Sequence, residues 1–194
     1  MAATSFFPSK NLGCYGDGGA IYTNDDNLAH IIRGIVNHGM YERYHHDVVG
    51  VNSRLDSIQA GVLKAKLPHL DTYNKARQEA ARKYSLALSQ NPNIWAPFIC
   101  DSCDCHVFHQ YVIRILNGKR DGLLAHLQEK GIPCAIYYPI PLHSQKAYAD
   151  SRYKEEDFPV TNQLVKEVIA LPMHTELDDE QIKFITDTVL EYIK

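Results

Sequence analysis

The chain has 194 residues, 45% hydrophobic and 22% charged, with a formal net charge of −3, which is typical of a globular protein with a buried core. Acidic and basic residues are interspersed, which argues against nucleic acid or an anionic membrane surface as a partner, and no apolar run approaches the ~20 residues that cross a bilayer. Since the first residues lack a signal-peptide pattern and the five cysteines are irregularly spaced, we expect a cytoplasmic protein.

The first predicted elements are a glycine-rich loop, a strand and a helix. Residues 1 to about 24 are predicted as loop and strand, with the strand at Ala20–Thr23. Asn24–Asp26 can cap a helix with one apolar stripe, which ends at His38-Gly39. Residues 40–51 are predicted as a loop rich in aromatic and basic groups.

Two more helices complete the first half. One begins near Leu55, and Pro68 interrupts its pattern. The next runs from about Leu70 to Ser89, and we expect it to connect two domains.

The second half alternates between strand and helix patterns. His109–Ile115 alternates as a half-buried strand does, and Ile132–Tyr138 is a second strand candidate. Helices are predicted from Asp121 to Gly131, from Thr161 to Ile169, and from Asp178 to Ile193. This order predicts a small α/β sandwich domain.

The most informative stretch is Ser5–Ala20, in which Lys10 stands between aromatic residues and glycines. A lysine that forms a Schiff base must be held rigidly and kept partly deprotonated. Pro8 restricts the backbone, Phe6 and Phe7 can exclude water, and the glycines permit a tight turn beside a cofactor.

Three other interpretations can be compared with the pattern of this stretch. A phosphate-binding P-loop places its lysine after the glycines, whereas Lys10 precedes them, and Gly16–Gly19 does not have the spacing of a dinucleotide fingerprint. A surface lysine beside a glycine-rich hairpin is compatible with the pattern alone.

The segment Ser5–Ala20 resembles the lysine motif of the DegT/DnrJ/EryC1/StrS sugar aminotransferases, which are fold-type-I pyridoxal-phosphate enzymes. Further blocks that resemble this family follow in family order over nearly the whole chain: His38-Gly39 with Tyr44-His45, Gly50–Asp56, Gln59-Ala60, Leu67–Asp71 with Arg77, His109–Tyr111, Gly131-Ile132, Tyr137–His143 and Leu171-Pro172. Together these blocks make the surface-lysine interpretation the weaker one.

The resemblance implies an α/β fold in which the C-terminal part of the pyridoxal-phosphate transferase large domain precedes a small α/β sandwich domain. Residues 1–70 would be the remnant of the large domain, residues 71–91 the connecting helix, and residues 92–194 the small C-terminal domain.

The resemblance also implies roles for two residues of the loop. Lys10 matches the lysine that binds pyridoxal 5'-phosphate covalently and then moves a proton, and its presence favours amino transfer over the dehydration performed by relatives with histidine there. Ser5 matches a hydroxyl that binds the cofactor phosphate, and its alternative is a loop-capping serine.

Asn52 and Arg54 match residues of the family's next motif. Asn52 matches a residue that reaches the cofactor phosphate of the neighbouring subunit, so a homodimer is expected. Arg54 matches one that contacts acidic sugars in some relatives. Without the resemblance, the two would be a turn residue and a surface charge.

Tyr137, Tyr138 and His143 match a segment that lines the sugar-nucleotide pocket in relatives. Aromatic packing at a strand edge is the alternative. His45 and His46 could belong to the pocket too, although a solvated pair in a loop is the favoured interpretation.

A cysteine-rich stretch, Cys100–His106 with His109 nearby, contains enough ligands for zinc. Structural zinc sites usually draw on two separated ligand pairs, whereas these ligands crowd together. A loop of reduced cysteines is therefore favoured, and no metal site is predicted.

Family members have a long N-terminal half before the lysine, which supplies an aspartate for the pyridine nitrogen, an aromatic ring that stacks on the cofactor and a phosphate-binding loop. None of these is located in this sequence, so we expect a fragment that requires a separate N-terminal half.

The implied reaction passes an amino group from an amino-acid donor, glutamate in our expectation, to a nucleotide-linked keto-sugar for polysaccharide biosynthesis. UDP-linked 3-oxo uronic acid sugars are the nearest class, and a non-catalytic assembly half is the alternative.

Overall fold

In the computed structural model, which describes residues 1–99 and 105–194, the chain divides into two units, Met1–Asp71 and Thr72–Lys194. The helices and strands are α1 Asp26–Val36, α2 Ser57–Lys66, α3 Leu70–Leu88, α4 Arg120–Glu129, α5 Pro159–Glu167, α6 Asp179–Ile193, β1 Ala2–Ser5, β2 Gly19–Tyr22, β3 Met40–Glu42, β4 His45–His46, β5 Ile94–Trp95, β6 Tyr111–Ile115 and β7 Val168–Leu171. Within the described part of the chain, no helix combines the length and apolar character that crossing a membrane requires.

The first unit begins with an antiparallel hairpin. Strand β1 pairs with β2 from Ala2 opposite Tyr22 to Ser5 opposite Gly19. The predicted strand at Ala20–Thr23 is confirmed as β2, whereas β1 was not anticipated. Its residues are small and polar, so its strand character comes from pairing with β2 rather than from a pattern of its own.

Helix α1 follows the hairpin and is confirmed with its predicted cap. The Asp25 carboxylate accepts the backbone N–H of Leu28 at 3.0 Å. Gly39 ends the segment with φ +77°, a conformation that favours glycine. The apolar stripe predicted for this helix does not form a core, since Ile31 and Ile35 stay exposed.

Residues 40–51, predicted as a loop, contain the short hairpin of β3 and β4, in which Met40 lies opposite His46. Tyr44 turns the chain with φ 70°. Strands of three and two residues are too short to show an alternating pattern in the sequence, which explains the wrong prediction.

Helix α2 is confirmed, but Pro68 does not separate it from α3. Leu67–His69 form a 3₁₀ turn, and the chain continues directly into α3. Proline is tolerated there because it lies in the first turn of the 3₁₀ segment, where its missing N–H removes no helical hydrogen bond.

The second unit is built on an antiparallel sheet of order β5-β6-β7, with β6 central. Strand β6, which was predicted, pairs with β7 from Tyr111 opposite Leu171 to Arg114 opposite Val168. Side chains from the sheet and the helices enclose one core: Ala80, Ala81, Tyr84, Leu88, Ile94, Phe108, Tyr111, Ile113, Ile115, Leu123, Leu127, Ile132, Ile169, Leu171, Ile182, Ile185, Val189 and Ile193.

Two predicted elements of this unit are wrong. Ile132–Tyr138 is not a strand, and pairs with the sheet only through the isolated bridge of Ala135 with Ala170. The helix predicted to reach Ile169 ends at Glu167, and the apolar run Val168–Leu171 becomes β7. A short apolar run has no period of its own, so its burial against β6 decides its structure.

The predicted caps of α4 and α6 have different outcomes. Asp121 does not cap α4: Lys119 is the N-cap, and the Asp121 carboxylate instead accepts a hydrogen bond from Arg120 Nε at 2.6 Å. Asp178 does cap α6 as predicted, and its carboxylate accepts the N–H of Gln181 at 2.7 Å in a capping box.

Buried polar groups join the chain segments of the second unit. Arg77 Nη1 donates to the carbonyl oxygens of Phe108, His109 and Met173 at 3.1 to 3.2 Å, and burial lowers the pKa of the Arg77 guanidinium. The Tyr84 hydroxyl donates to the Pro172 carbonyl at 3.0 Å. Arg77, which belongs to one of the blocks that resemble the family, therefore has a structural role in this unit.

Candidate active site

The loop that carries Lys10 connects β1 to β2. The Lys10 backbone N–H donates to the carbonyl oxygen of Phe7 at 2.9 Å, which closes a tight turn around Pro8. The Lys10 side chain is half-buried. The turn supplies the backbone restraint that a covalent anchor lysine needs.

The two ends of this loop are tied together by backbone hydrogen bonds. Phe6 N–H donates to the Gly18 carbonyl and Cys14 N–H to the Phe6 carbonyl, both at 2.8 Å. The Cys14 thiol is fully buried and lies 3.0 Å from the carbonyl oxygens of Phe6 and Gly16. Phe6, Cys14 and Leu63 form the small apolar cluster beneath the loop.

Gly13 is required by close packing of the loop on itself. A Cβ atom at this position would lie 2.5 Å from the Pro8 carbonyl oxygen and 2.8 Å from that of Phe7. Both are backbone atoms of the Lys10 turn and have little freedom to move. The glycine thus allows the second half of the loop to rest directly against the turn.

Helix α2 holds the same loop from outside through two side chains. Lys66 Nζ donates to the Gly13 carbonyl at 2.7 Å, and Gln59 Oε1 accepts the Tyr15 N–H at 2.7 Å. The sequence did not identify either role. Both residues lie more than forty positions from their partners, so no local pattern marks the contacts.

Ser5 lies at the start of the loop, where its hydroxyl oxygen accepts the Phe7 N–H at 3.2 Å. This is the loop-capping role considered as its alternative. A hydroxyl that accepts one hydrogen bond can still donate its own proton to an anionic oxygen. The exposed Ser5 hydroxyl and the Lys10 amine, on one loop, therefore fit two needs of pyridoxal phosphate: a phosphate donor and a covalent anchor.

Asn52 and Arg54 lie together, since Arg54 Nε donates to Asn52 Oδ1 at 3.1 Å. Both line a cavity of about 680 Å³, which Arg33 and Asp17 also line. Arg33 was not singled out from the sequence, because a basic residue in the last turn of α1 is also explained by the helix dipole. The cavity therefore has two guanidinium groups and one carboxylate among its lining residues.

Lys10 and Ser5 are not among the residues that line this cavity, although residues of β1 and β2 are. The structure thus groups the four expected residues of the first unit into two pairs, one on the loop and one at the cavity. Their roles toward cofactor and substrate stay predictions.

The remaining expected residues lie in the second unit. The rings of Tyr137 and Tyr138 meet edge to face with centroids 5.5 Å apart, and both are exposed. The His143 ring stacks on Phe158 at 4.3 Å. His143 thus has the aromatic packing considered as its alternative, whereas the exposed tyrosines are accessible to a ligand.

The histidines of the β3–β4 hairpin are exposed. The His46 Nδ1–H donates to the His38 carbonyl at 2.9 Å, which anchors the hairpin to the end of α1. This contact agrees with the favoured interpretation of a loop pair.

The candidate zinc cluster lies mainly outside the described residues, since Cys100, Asp101, Ser102, Cys103 and Asp104 are not among them. Cys105 is disulfide-bonded, which corrects the expectation of a loop of reduced cysteines at that position. His106 stacks on Phe108 at 3.9 Å. Within residues 1–99 and 105–194, no group of His, Cys, Asp or Glu is arranged to hold a metal ion.

Comparison with known sequences places these features in context. The DegT/DnrJ/EryC1/StrS aminotransferase family matches residues 1–190. A relative in Pseudomonas aeruginosa, named UDP-2-acetamido-2-deoxy-3-oxo-D-glucuronate aminotransferase, is 49% identical over 185 residues, covering 95% of this chain and 50% of that protein. A "pleiotropic regulatory protein" of Geobacillus stearothermophilus is 45% identical over 195 residues, covering 100% of this chain and 52% of its own.

Solved structures agree in fold. DesV of S. venezuelae, in complex with a ketimine intermediate, superposes with a TM-score of 0.91 and 38% identity over 99% of this chain and 51% of that one. NtdA of Bacillus subtilis, with bound cofactor PMP, gives a TM-score of 0.87 and 25% identity over 98% and 45%.

These matches confirm the expected α/β fold, and the cofactor expected from the sequence agrees with the PMP bound to NtdA. The chain spans about half the length of the curated relatives that it matches. Since the family match extends over residues 1–190, the chain belongs to the DegT/DnrJ/EryC1/StrS aminotransferase family.

Proposed function

We propose that this chain carries the cofactor lysine of a pyridoxal-phosphate-dependent aminotransferase that acts on a nucleotide-linked keto-sugar, with glutamate as amino donor. The observation that carries the proposal is the Lys10 turn, which is closed by its own backbone hydrogen bond and packed against Gly13. The restraint fixes where the Lys10 side chain leaves the backbone.

Lys10 has two tasks in this proposal. Its Nζ would hold pyridoxal phosphate covalently, and the same amine would then move a proton during the transfer of the amino group. Bound pyridoxal phosphate supplies the ring that takes up the electrons freed when that proton leaves. The half-buried position of Lys10 reduces its contact with water.

Ser5 and Asn52 are proposed to bind the cofactor phosphate from two subunits of a homodimer. Ser5, at the start of the Lys10 loop, would donate its hydroxyl proton to the phosphate, while its oxygen accepts the Phe7 N–H. Asn52 can donate through its amide nitrogen, because its Oδ1 is engaged by Arg54.

The substrate is proposed to be a UDP-linked 3-oxo uronic acid sugar, as the name of the Pseudomonas aeruginosa relative suggests for that protein. Arg54 and Arg33 line one cavity, and a guanidinium is the group that best recognises a carboxylate. Tyr137, Tyr138 and His143 are proposed to contact the sugar nucleotide.

A separate N-terminal half is proposed as partner, and the two-stranded hairpin supports this. In the described part of the chain, β1 and β2 pair only with each other, so each has an outer edge without a ladder. Ile21 and Tyr22 of β2 are exposed, as are Ile31 and Ile35 of α1. Such edges and apolar side chains are usually covered by further strands.

Borohydride reduction of the purified chain with pyridoxal phosphate, followed by peptide mass mapping, tests the role of Lys10. We expect one dominant adduct, on the peptide that contains Lys10, and its loss in Lys10→Arg. Lys64→Arg serves as the matched control, because Lys64 is an exposed lysine of α2. Adducts scattered over many lysines would contradict the proposal for this chain.

A mixing experiment tests the substrate and the partner. The chain is combined with the N-terminal half of the Pseudomonas aeruginosa relative, and glutamate-dependent amination is measured with a UDP-linked 3-oxo sugar with and without its carboxylate. We expect activity only in the mixture, a preference for the acidic sugar, and loss of that preference in Arg54→Gln. A mixture that stays inactive with Lys10 correctly labelled would favour a non-catalytic assembly role.

A further inference from the structure

We propose that Lys66 and Gln59, both on helix α2, are positioning residues that hold the loop in the conformation that presents Lys10. The catalytic meaning of this inference rests on the function proposed above. Its structural content, that two side chains of α2 restrain the Lys10 loop, is independent of that function.

Lys66 makes two contacts with the loop. Its ammonium donates to the Gly13 carbonyl at 2.7 Å and lies 5.0 Å from the centre of the Tyr15 ring. A hydrogen bond from a charged donor is stronger than a neutral one, and the ring face adds electrostatic attraction. These contacts offset the entropy lost when a long, flexible side chain is fixed.

Gln59 supports the same segment from the same face of α2, about two turns before Lys66. Its Oε1 accepts the Tyr15 N–H at 2.7 Å. Its Nε2 would lie 3.2 Å from a Cβ on Gly16, so the absent side chain of Gly16 leaves room for the amide. Gly13 and Tyr15 are thus both held from α2.

The restraint reaches Lys10 through direct contacts. The Gly13 Cα rests against the carbonyl groups of Phe7 and Pro8, and the Phe7 carbonyl accepts the Lys10 N–H. If Gly13 moves outward, the turn loses the surface that supports it. Lys66 is therefore connected to Lys10 through two consecutive packed contacts.

Polar contacts matter here because apolar burial under the loop is small. The cluster consists of Phe6, Cys14 and Leu63, with Leu12 and Ala20 packed partly against it. Such a cluster provides only a few side chains of hydrophobic stabilisation, against the entropy of ordering the whole loop. The hydrogen bonds of Lys66 and Gln59 with the loop provide further restraint on its conformation.

Amide hydrogen exchange of the chain without cofactor tests the inference. In Lys66→Met we expect exchange in the peptide covering residues 10–16 to become about tenfold faster, and in Gln59→Leu about fivefold faster, since each loses one hydrogen bond that limits local opening. Exchange in α6 serves as the internal reference for intact folding.

Three variants separate positioning from a general structural effect. Lys66→Arg can still donate to the Gly13 carbonyl, and Gln59→Glu can still accept the Tyr15 N–H, so both are expected to restore slow exchange. Lys64→Met removes a lysine from the same helix without touching the loop and should match the unaltered chain. Unchanged exchange in Lys66→Met, or an equal increase throughout both units, would overturn the inference.

The borohydride assay then connects the loop to the cofactor. We expect the share of adduct found at Lys10 to fall severalfold in Lys66→Met and to recover in Lys66→Arg. If Lys10 is not labelled even in the unaltered chain, the proposed function fails, and the exchange data still decide the restraint. If Lys10 is labelled equally in all variants, the positioning role is overturned while the proposed function stands.

Discussion

The two units of this chain are ordered by different means. The second unit encloses one continuous core of eighteen buried side chains, including the fully buried Tyr84, Ile113 and Leu127. The first unit buries a cluster of three, and its loop is fixed by hydrogen bonds and glycine contacts. The residue that carries the proposed chemistry lies in the unit with the smaller core.

This difference indicates where stability and function reside. Hydrophobic burial gives the second unit a stability of its own, whereas the first unit gains little from that source. Its exposed apolar residues, and the strand edges left without a partner strand among the described residues, are surfaces that a further polypeptide can cover. The order of the Lys10 loop therefore depends on a few specific contacts, and single substitutions can test them.

The largest expected effect comes from the core of the second unit. Leu127→Ala removes a fully buried side chain and should lower the free energy of unfolding by about 3 to 4 kcal/mol. Trp95, the single tryptophan, lies in this unit, so urea unfolding followed by its fluorescence reports the change. Leu63→Ala in the first unit should leave the Trp95 transition unmoved. Equal shifts from both variants would show that the two units unfold together.

Arg77→Met should have the next largest effect. It leaves the carbonyl oxygens of Phe108, His109 and Met173 without the guanidinium that joins them, at a cost of about 3 kcal/mol. Arg82→Met is the matched control on the same helix, because Arg82 is exposed and pairs with Glu79 at the surface. It should produce no measurable change in the Trp95 transition. A loss of unfolding free energy as large as that of Arg77→Met would refute the structural role given to the Arg77 hydrogen bonds.

Two glycines of the first unit give opposite expectations. Gly13→Ala forces a Cβ into the Phe7 and Pro8 carbonyls and should open the Lys10 loop, with a local cost of about 2 kcal/mol. Gly61→Ala meets no atom within 4 Å in the middle of α2 and should stabilise that helix by about 0.5 to 1 kcal/mol. Hydrogen exchange of the loop and of α2 measures both, and slow exchange of the loop in Gly13→Ala would contradict the packing argument.

How far the sequence predicts this molecule depends on the range of the contacts involved. Helices α1 and α6 were predicted because their caps, Asp25 and Asp178, stand next to a clear apolar period. Strand β7 was not, since Val168–Leu171 has no period and gains its strand character by pairing with β6.

The candidate site shows the same limit. Lys10 and its glycines form a local motif that can be recognised in the sequence, and Ser5 belongs to it. The supports from Gln59 and Lys66 cannot be recognised in this way, because they join residues that are distant in the chain. Their contacts exist only once α2 is folded against the loop.

The smallest expected effect concerns alkaline pH and two buried tyrosines of the second unit. Burial raises the pKa of Tyr111 to about 12, although a hydrogen bond with Ser85 opposes the shift, and burial together with Tyr111 also raises the pKa of Tyr84. The unfolded chain has a tyrosine pKa of about 10. Between about pH 10 and 12 the unfolded state therefore loses its phenolic protons first, so stability is complete below this range and falls as pH rises.

Replacing Tyr111 by Phe removes this titration. Between about pH 9 and 11, the free energy of unfolding should fall by about 1 kcal/mol less in Tyr111→Phe than in the unaltered chain. Tyr84→Phe should reduce the fall in the same direction, and the double variant should show the weakest dependence on pH. Urea midpoints followed through Trp95 measure all four proteins. Parallel curves of unfolding free energy against pH for the four proteins would mean that the tyrosines ionise without unfolding the core. The burial that distinguishes the second unit from the first would then not control its alkaline stability.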